Sequence, residues 1–282
     1  MKKLGTFALT LALAGAMTVP ACATEGLLIS ANPNAYSTTI TLNGETLNTA
    51  GIPASSDSLI PLRLVAEADH GSAYWDQENN ESWFYFGDNL ITVKFADNSI
   101  WVGEESVKSQ AEVVDGVTFV SASVLSLLDG YTVEWADPTT DGSEAVTITT
   151  PNNDPMVKAA YSIMDAAGMG YGMRMDGQQL AETYQIPADA FEQVIAFFPM
   201  ITNPDTLILG KLAEGADVEA VKTALEAYRQ QQEDTFSWYL SQNLPKVQDA
   251  RVVVEGDWFL FLIAEDADAG EAAFHSFVEA HG

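Results

Sequence analysis

The sequence predicts an α+β protein made of two domains. Short alternating strands separated by turns fill residues 29–150, whereas apolar residues at helical spacing dominate from residue 156 to 282. A length of 282 residues suits two domains of ordinary size. The proline-flanked polar segment 151–155 can continue neither a strand nor a helix, so we predict a linker there. The first domain is expected to be an antiparallel sheet with two short helices, and the second a long helix over an antiparallel sheet.

The first 23 residues have the pattern of an export signal. Two lysines precede an uncharged apolar stretch, and Ala21-Cys22-Ala23 supplies the small-x-small pattern that a signal peptidase cleaves. Lipidation of Cys22 is the alternative, although Pro20 is a poor residue at that position of a lipobox. The stretch is shorter than the ~20 residues that cross a bilayer, and no later segment comes close. We expect a secreted or envelope-associated protein without a transmembrane helix in the mature chain.

The charge balance restricts the partners. The chain has 12 basic and 40 acidic residues, and removal of the signal leaves 10 against 40, a formal charge of −30. Without a basic stripe to displace counterions, nucleic acid and anionic lipid are excluded as partners. Unless Cys22 is lipidated, removal of the signal also takes the one cysteine. The mature chain is then expected to lack disulfides, a thiolate nucleophile and a Cys-based zinc site.

The first domain contains an internal repeat. The alternating residues 37–42 end at Asn43-Gly44, a strong signal for a two-residue hairpin. A shift of 60 residues places Ile60 on Val120 and Trp75 on Trp135 without a gap, which indicates a strand–helix–strand unit used twice. Strands are predicted at 82–86, 90–95, 99–102, 117–120, 132–135 and 145–149, and short helices at 61–68 and 121–128.

The residues of this repeat carry a family resemblance. IPLRLVAEA at 60–68 and AYWD at 73–76 resemble the V-P-L-R-x-x-A-E-A-L-G-A-x-V-x-W-D signature of the copper amine oxidase N-terminal (stalk) domain, and ITLNG at 40–44 is similar to its opening I-x-L-N-G. The resemblance covers about residues 36–150. Asp69-His70 stands where the signature has Leu-Gly, and the second copy has VSAS at 120–123 where VPLR would stand. The resemblance implies a stalk-like module of the kind found in exported Gram-positive bacterial proteins.

Copper chemistry does not follow from this resemblance. The oxidase needs a catalytic domain with three His ligands and a Tyr-derived quinone. The whole chain has only His70, His275 and His281, with no His-x-His pair. We interpret the three as surface or partly packed side chains.

The second domain is predicted from helical periodicity and one strong hairpin. A helix over 156–167 should begin with Asp154 at its N-cap and Pro155 at its first position. A long helix is predicted over 217–240, strands at 190–198, 206–211, 250–255 and 258–264, and a last helix at 269–280. LAETY at 180–184, YRQQQ at 228–232 and VVVEGDWFLFLI at 252–263 resemble an uncharacterised domain family of exported Gram-positive proteins, which implies no activity.

Catalytic signatures are missing from the sequence. It contains no Gly-x-Ser-x-Gly elbow, no Ser-x-x-Lys and no Walker-type phosphate loop, and the glycines of 168–172 follow a helix instead of opening one. We therefore predict a protein that is not an enzyme and that holds no cofactor. Calcium is left open at two acidic clusters, which we interpret as solvated surface; they are Asp137 with Asp141, and Asp266 with Asp268 and Glu271.

Two sets of residues are candidates for a ligand or partner surface. Alternation places Trp83 and Tyr85 on one strand face, opposite Phe84 and Phe86, and an exposed pair joined by Trp101 would suit a sugar ring or a protein. Coverage of both faces is the alternative. Arg63 and Glu67 stand four apart on a predicted helix, which suits an ion pair or a ligand-recognising surface.

The hypothesis drawn from these patterns is a non-catalytic module of the cell envelope or its exterior that binds cell-wall glycan or a surface protein. The alternatives are a cell-wall hydrolase with unrecognised carboxylates and a purely structural spacer.

Overall fold

The computed structural model describes residues 38–54, 57–136, 144–170, 172–199 and 202–281. The predicted export signal with Ala21, Cys22 and Ala23, and the acidic cluster of Asp137 with Asp141, lie outside the described residues. The described chain is α+β and divides into two compact units, the first ending at Pro151 and the second beginning at Asn152.

The N-terminal unit is built mainly of strands. In chain order it contains β1 (Thr38–Leu42), β2 (Glu45–Gly51), β3 (Leu59–Pro61), α1 (Leu62–Ala68), β4 (Ser72–Asp76), β5 (Glu81–Phe86), β6 (Asn89–Lys94), β7 (Ser99–Val102), β8 (Glu105–Val107), β9 (Ala111–Val114), β10 (Val117–Ser121), a 3-10 helix (Ala122–Leu127), β11 (Thr132–Ala136) and β12 (Glu144–Thr149). They form sheets of order β11-β12-β1-β2, β3-β10-β9 and β4-β5-β6-β7-β8. One apolar core joins all three sheets through residues such as Ile40, Ile60 and Phe84.

The two repeat copies have the same order of elements. β3, α1 and β4 recur 60 residues later as β10, the 3-10 helix and β11, and β3 pairs antiparallel with β10 so that Ile60 lies opposite Val120. The second helix, predicted over 121–128, is a 3-10 helix over Ala122–Leu127. Asp57 accepts hydrogen bonds from the backbone N–H and the hydroxyl of Ser123 in its first turn, and the extended backbone of Leu128 ends it.

A buried carboxylate lies directly after α1. Asp69 is 1% exposed, and its oxygens accept hydrogen bonds from Tyr131 Oη at 3.0 Å, Thr150 Oγ1 at 2.7 Å and Asn43 Nδ2 at 3.2 Å. These donors belong to the β1–β2 turn, the segment before β11 and the residue after β12. Asp69 therefore joins segments that are far apart in the chain, which explains why a charged residue stands where the signature has Leu.

His70, the next residue, is held in a left-handed backbone conformation with φ +61°. A side chain costs free energy in this region, and the signature has Gly at this position. We expect His70→Gly to raise the free energy of unfolding of the N-terminal domain by about 0.5–1 kcal/mol, after allowing for the greater freedom of Gly in the unfolded chain. The measurement is urea unfolding of the full chain beside the conservative variant His70→Asn, which should gain less; lower stability of His70→Gly would contradict the prediction.

The C-terminal unit contains one antiparallel sheet with helices. Its elements are α2 (Pro155–Ala166), β13 (Met173–Met175), α3 (Gly177–Tyr184), β14 (Phe191–Phe198), β15 (Thr206–Leu212), α4 (Val218–Phe236), α5 (Leu244–Gln248), β16 (Arg251–Glu255), β17 (Trp258–Ile263) and α6 (Ala267–His281), and the sheet order is β13-β14-β15-β17-β16. Asp154 caps α2 by accepting from the N–H groups of Met156 and Val157 at 2.8 and 3.2 Å, and Pro155 is its first residue, as predicted.

Helices cover both faces of this sheet. Every side chain of β17 is buried: Trp258, Leu260 and Leu262 pack in the core with α2 and α6, while alternate residues pack in the core with α3, α4 and α5. The expected long helix over an antiparallel sheet is present, and α2 with α6 adds a layer on the other face.

The long helix α4 ends at Phe236, four residues earlier than predicted. Phe236, Tyr239 and Leu240 were expected to prolong its apolar face; Phe236 does so and is 2% exposed, whereas Tyr239 lies beyond the helix and is 47% exposed. Leu240 then has a left-handed backbone with φ +55°, which a helix cannot continue.

Candidate functional site

Strand β5 presents its aromatic side chains to two different environments. Phe84 and Phe86 are 2% and 1% exposed and lie in the core, whereas Trp83 and Tyr85 are half-buried on the opposite face. The alternation that the sequence predicted is therefore present, and the face with Trp83 remains accessible to solvent.

Neighbouring strands extend this face through their register. Tyr74 of β4 lies opposite Trp83, Thr92 of β6 lies on the other side of Trp83, and Trp101 of β7 follows Thr92. Side chains that are directly opposite on paired strands project from the same face. One row of side chains thus runs Tyr74–Trp83–Thr92–Trp101 across the sheet.

Three members of this row, Trp83, Thr92 and Trp101, line a groove of about 270 Å³ that is open to solvent. We call it the aromatic groove; its lining residues are Glu81, Trp83, Tyr85, Leu90, Thr92, Lys94, Trp101 and Gly103. Thr92 is 6% exposed and lies between two larger indole side chains, so it forms the floor and Trp83 and Trp101 form the walls. Aromatic walls with a few polar groups are typical of small-molecule sites.

Polar contacts hold both indoles in place. Trp83 Nε1 donates to Glu81 Oε2 at 3.1 Å, and Trp101 Nε1 donates to Ser99 Oγ at 2.9 Å. The ammonium of Lys94 lies 4.8 Å from the centroid of the Trp101 ring and 3.4 Å from Glu81 Oε1. Each indole is thus oriented by the residue two positions earlier on its own strand, which leaves the groove preformed.

Arg63 and Glu67 lie elsewhere in the same domain. Arg63 Nε and Glu67 Oε1 are 2.8 Å apart on the exposed side of α1. The buried side of α1 packs in the core that also contains Phe84, so this helix lies on the sheet face opposite the aromatic groove. The structure brings Trp83, Tyr85 and Trp101 together and does not bring Arg63 and Glu67 to them.

Sequence reasoning missed Glu81, Thr92 and Lys94. Thr92 and Lys94 become neighbours of the tryptophans only through the register of β6 with β5 and β7, whereas Glu81 shares a strand face with Trp83 through alternation alone. A signal for the register of β5 with β6 exists, because Gly87-Asp88 is a two-residue turn between Phe86 and Asn89, with φ +58° at Gly87. Counting back from such a turn places Thr92 opposite Trp83.

The second acidic cluster suspected of binding calcium is occupied by a side chain of the protein itself. Arg251 pairs with Asp268 at 2.6 Å and with Glu271 at 3.5 Å, while Asp266 accepts from the N–H of Ala269 at the start of α6. Within the described ranges, no group of three or more His, Cys, Asp or Glu residues is arranged to hold a metal ion.

His275 on α6 lies beside two carboxylates. Its Nδ1 contacts Glu255 at 2.5 Å and its Nε2 lies 3.6 Å from Glu271, and hydrogen bonding to Glu255 raises the pKa of His275 above its ordinary value. A raised pKa in the folded state means that the protonated form stabilises the fold. This contribution is complete below the unfolded-state pKa of about 6.5 and disappears as the pH rises through the folded-state pKa.

We therefore expect His275→Gln to lower stability at about pH 5.5 by a few tenths of a kcal/mol, because the pair is largely solvated, and to have no effect at about pH 9. Urea unfolding at the two pH values, with His281→Gln as the control, checks this. An equal loss at both pH values would show that packing, not protonation, is responsible.

The N-terminal unit is thus an α+β domain, built on an internal repeat, with an accessible aromatic groove on one sheet. Residues 39–142 match the family model of the copper amine oxidase N-terminal domain, and residues 167–264 match that of the domain of unknown function DUF4358. The chain thus carries a stalk domain followed by a second, uncharacterised domain. The oxidase match covers the N-terminal, non-catalytic domain alone.

Neither the curated proteins nor the solved structures gave a match to this chain. Over the described residues, the helices are too short or too polar to cross a membrane.

Proposed function

We propose that the mature protein is an exported, non-catalytic module of the cell envelope or its exterior that binds cell-wall glycan in the aromatic groove. The observation that carries this proposal is the pair of oriented, half-buried indoles on either side of Thr92. The apolar faces of pyranose rings stack on aromatic side chains, while their hydroxyls need polar neighbours such as Glu81, Lys94 and Thr92. A preformed groove also spares the entropy of ordering its walls on binding.

The composition of the groove favours binding over hydrolysis. A glycosidase needs two carboxyl groups placed roughly 5–9.5 Å apart around the bond that it cleaves. Glu81 supplies the carboxylate among the lining residues, and it is engaged by the Trp83 N–H and by Lys94. The hydrolase alternative would need a second acid here, and the lining residues supply none.

Co-sedimentation with insoluble cell walls tests the proposal. The wild-type mature protein should sediment with the walls, and the Trp83→Ala/Tyr85→Ala variant should stay in the supernatant. Trp238→Ala is the matched control, because it removes an indole that is 80% exposed in the other domain and should leave sedimentation unchanged.

Repeating the sedimentation in calcium and in EDTA distinguishes binding in the aromatic groove from attachment through a bridging divalent cation. Because the groove uses stacking and hydrogen bonds, sedimentation should be equal in both. Loss in EDTA would indicate instead that a divalent cation bridges the acidic protein to anionic wall polymers. If the wild-type protein stays in the supernatant in both arms, the wall-glycan proposal fails and a spacer or a protein-binding role replaces it.

A further inference from the structure

The aromatic groove contains one positive and one negative side chain, and these neutralise each other. Lys94 and Glu81 are 34% and 16% exposed and their charged atoms are 3.4 Å apart. The other Glu81 oxygen accepts the Trp83 N–H, and the Lys94 ammonium lies over the Trp101 ring. Both charges are thus already partnered inside the protein, so no unpaired cation remains to compensate an anionic ligand.

The dimensions of the groove suit a single sugar ring between its walls. Trp83 and Trp101 lie two strands apart, a backbone separation of about 10 Å, and each indole occupies part of that width. Gly103 lines one end, and a Cβ added there would meet no atom within 4 Å. A longer chain can therefore continue out of the groove past Gly103.

The net negative charge of the whole chain also disfavours anionic ligands. The mature chain carries a formal charge of −30, which repels anionic polymers at long range. An anionic group that entered the groove would lose water without gaining a free cation, which is unfavourable. An uncharged sugar is subject neither to this repulsion nor to the desolvation penalty of an anionic group.

We propose that the aromatic groove selects uncharged glycan segments, meaning neutral hexoses or N-acylated hexosamines, and rejects segments that carry carboxylates. This inference rests on the proposed glycan binding and deepens it by naming the class of sugar. Glu81 sets the selectivity, because its carboxylate cancels the charge of Lys94.

Titration calorimetry of the mature protein with two soluble tetrasaccharides tests this selectivity. The probes are tetra-N-acetylchitotetraose, which is uncharged, and tetragalacturonate, which carries four carboxylates. We expect the uncharged tetramer to bind at least about tenfold more tightly, with this difference shrinking as salt is added. Trp83→Ala should remove binding of the uncharged tetramer.

Glu81→Gln isolates the role of the groove carboxylate. Gln keeps an oxygen that can accept the Trp83 N–H but leaves Lys94 without its anionic partner. Affinity for tetragalacturonate should rise about fivefold or more, whereas affinity for the uncharged tetramer should change less than twofold. Glu105→Gln is the matched control, because it removes the same charge from an exposed residue of β8 and should change neither affinity as much.

Three results would overturn the selectivity. The wild-type protein could bind tetragalacturonate as tightly as the uncharged tetramer; Glu81→Gln and Glu105→Gln could raise tetragalacturonate affinity equally; or Trp83→Ala could keep wild-type affinity for the uncharged tetramer. In the first two cases, binding lost in Trp83→Ala would leave the proposed function standing. If neither tetramer binds and the walls are not sedimented either, the proposed function and this inference fall together.

Discussion

Asp69→Ala is expected to lower the free energy of unfolding of the N-terminal domain by about 3–5 kcal/mol, because three side-chain donors would lose their shared buried acceptor. Tyr131, Thr150 and Asn43 all donate to this carboxylate, which is 1% exposed. A water molecule in the vacated space would be uncharged and would satisfy the three donors only in part, so most of the loss should remain.

Urea unfolding of the full chain, with hydrogen exchange to assign the transition to residues 38–151, measures this loss. Asp69→Asn is the matched control: it keeps the size of the side chain and one acceptor oxygen, so about 1 kcal/mol should be lost. A loss in Asp69→Ala no larger than in Asp69→Asn would mean that the network contributes little beyond its packing.

Gly71→Ala is expected to destabilise the same domain by about 3 kcal/mol through a direct clash. A Cβ at residue 71 would lie 2.0 Å from the carbonyl oxygen of Tyr85 and 2.9 Å from that of Ala66. Both are backbone atoms, so either β5 or the end of α1 must move. Because β5 carries Trp83, the displacement should also weaken binding in the aromatic groove.

Gly87→Ala supplies the comparison for this clash. Its φ is +58°, but no atom lies within 4 Å of the added Cβ, so it measures the conformational cost of a left-handed residue, about 1 kcal/mol. Thermal unfolding followed by tryptophan fluorescence ranks the two variants. Equal losses of stability in Gly71→Ala and Gly87→Ala would show that β5 can move away from the added Cβ at little cost in free energy.

Local signals predicted most of the N-terminal fold. Asn43-Gly44 forms the expected hairpin turn with φ of +51° and +87°, and the offset of 60 residues matches the spacing of β3 with β10 and of β4 with β11. The short strands β8 and β9 were missed, because three or four residues give too little alternation to be distinguished from a loop.

The layer formed by α2 and α6 in the C-terminal unit was missed, although a signal for it existed. Residues 258–263 are continuously apolar, and a strand with this pattern is buried on both faces. The long helix α4 could cover only one of them. The helix predicted over 217–240 extended too far, because aromatic residues at helical spacing look alike in the sequence whether they are buried, as Phe236 is, or exposed, as Tyr239 is.

Part of the aromatic groove could be predicted from the sequence. Alternation within β5 placed Trp83 with Tyr85, since that pattern depends on one strand alone. The floor at Thr92 and the ion pair of Glu81 with Lys94 depend on which residues of β6 lie opposite β5, and this is a property of the turn between the strands. Arg63 and Glu67 were candidates by spacing alone, and spacing does not tell which face of the sheet a helix covers.

Where β3 pairs with β10, equivalent positions of the two repeat copies contact each other reciprocally. Leu59 lies opposite Ser121 and Pro61 opposite Phe119, with Ile60 and Val120 at the centre. This is the reciprocal arrangement of an isologous contact, formed here within a single polypeptide. Substitutions at positions 60 and 120 therefore alter one shared contact from opposite sides, and their energetic effects should be non-additive.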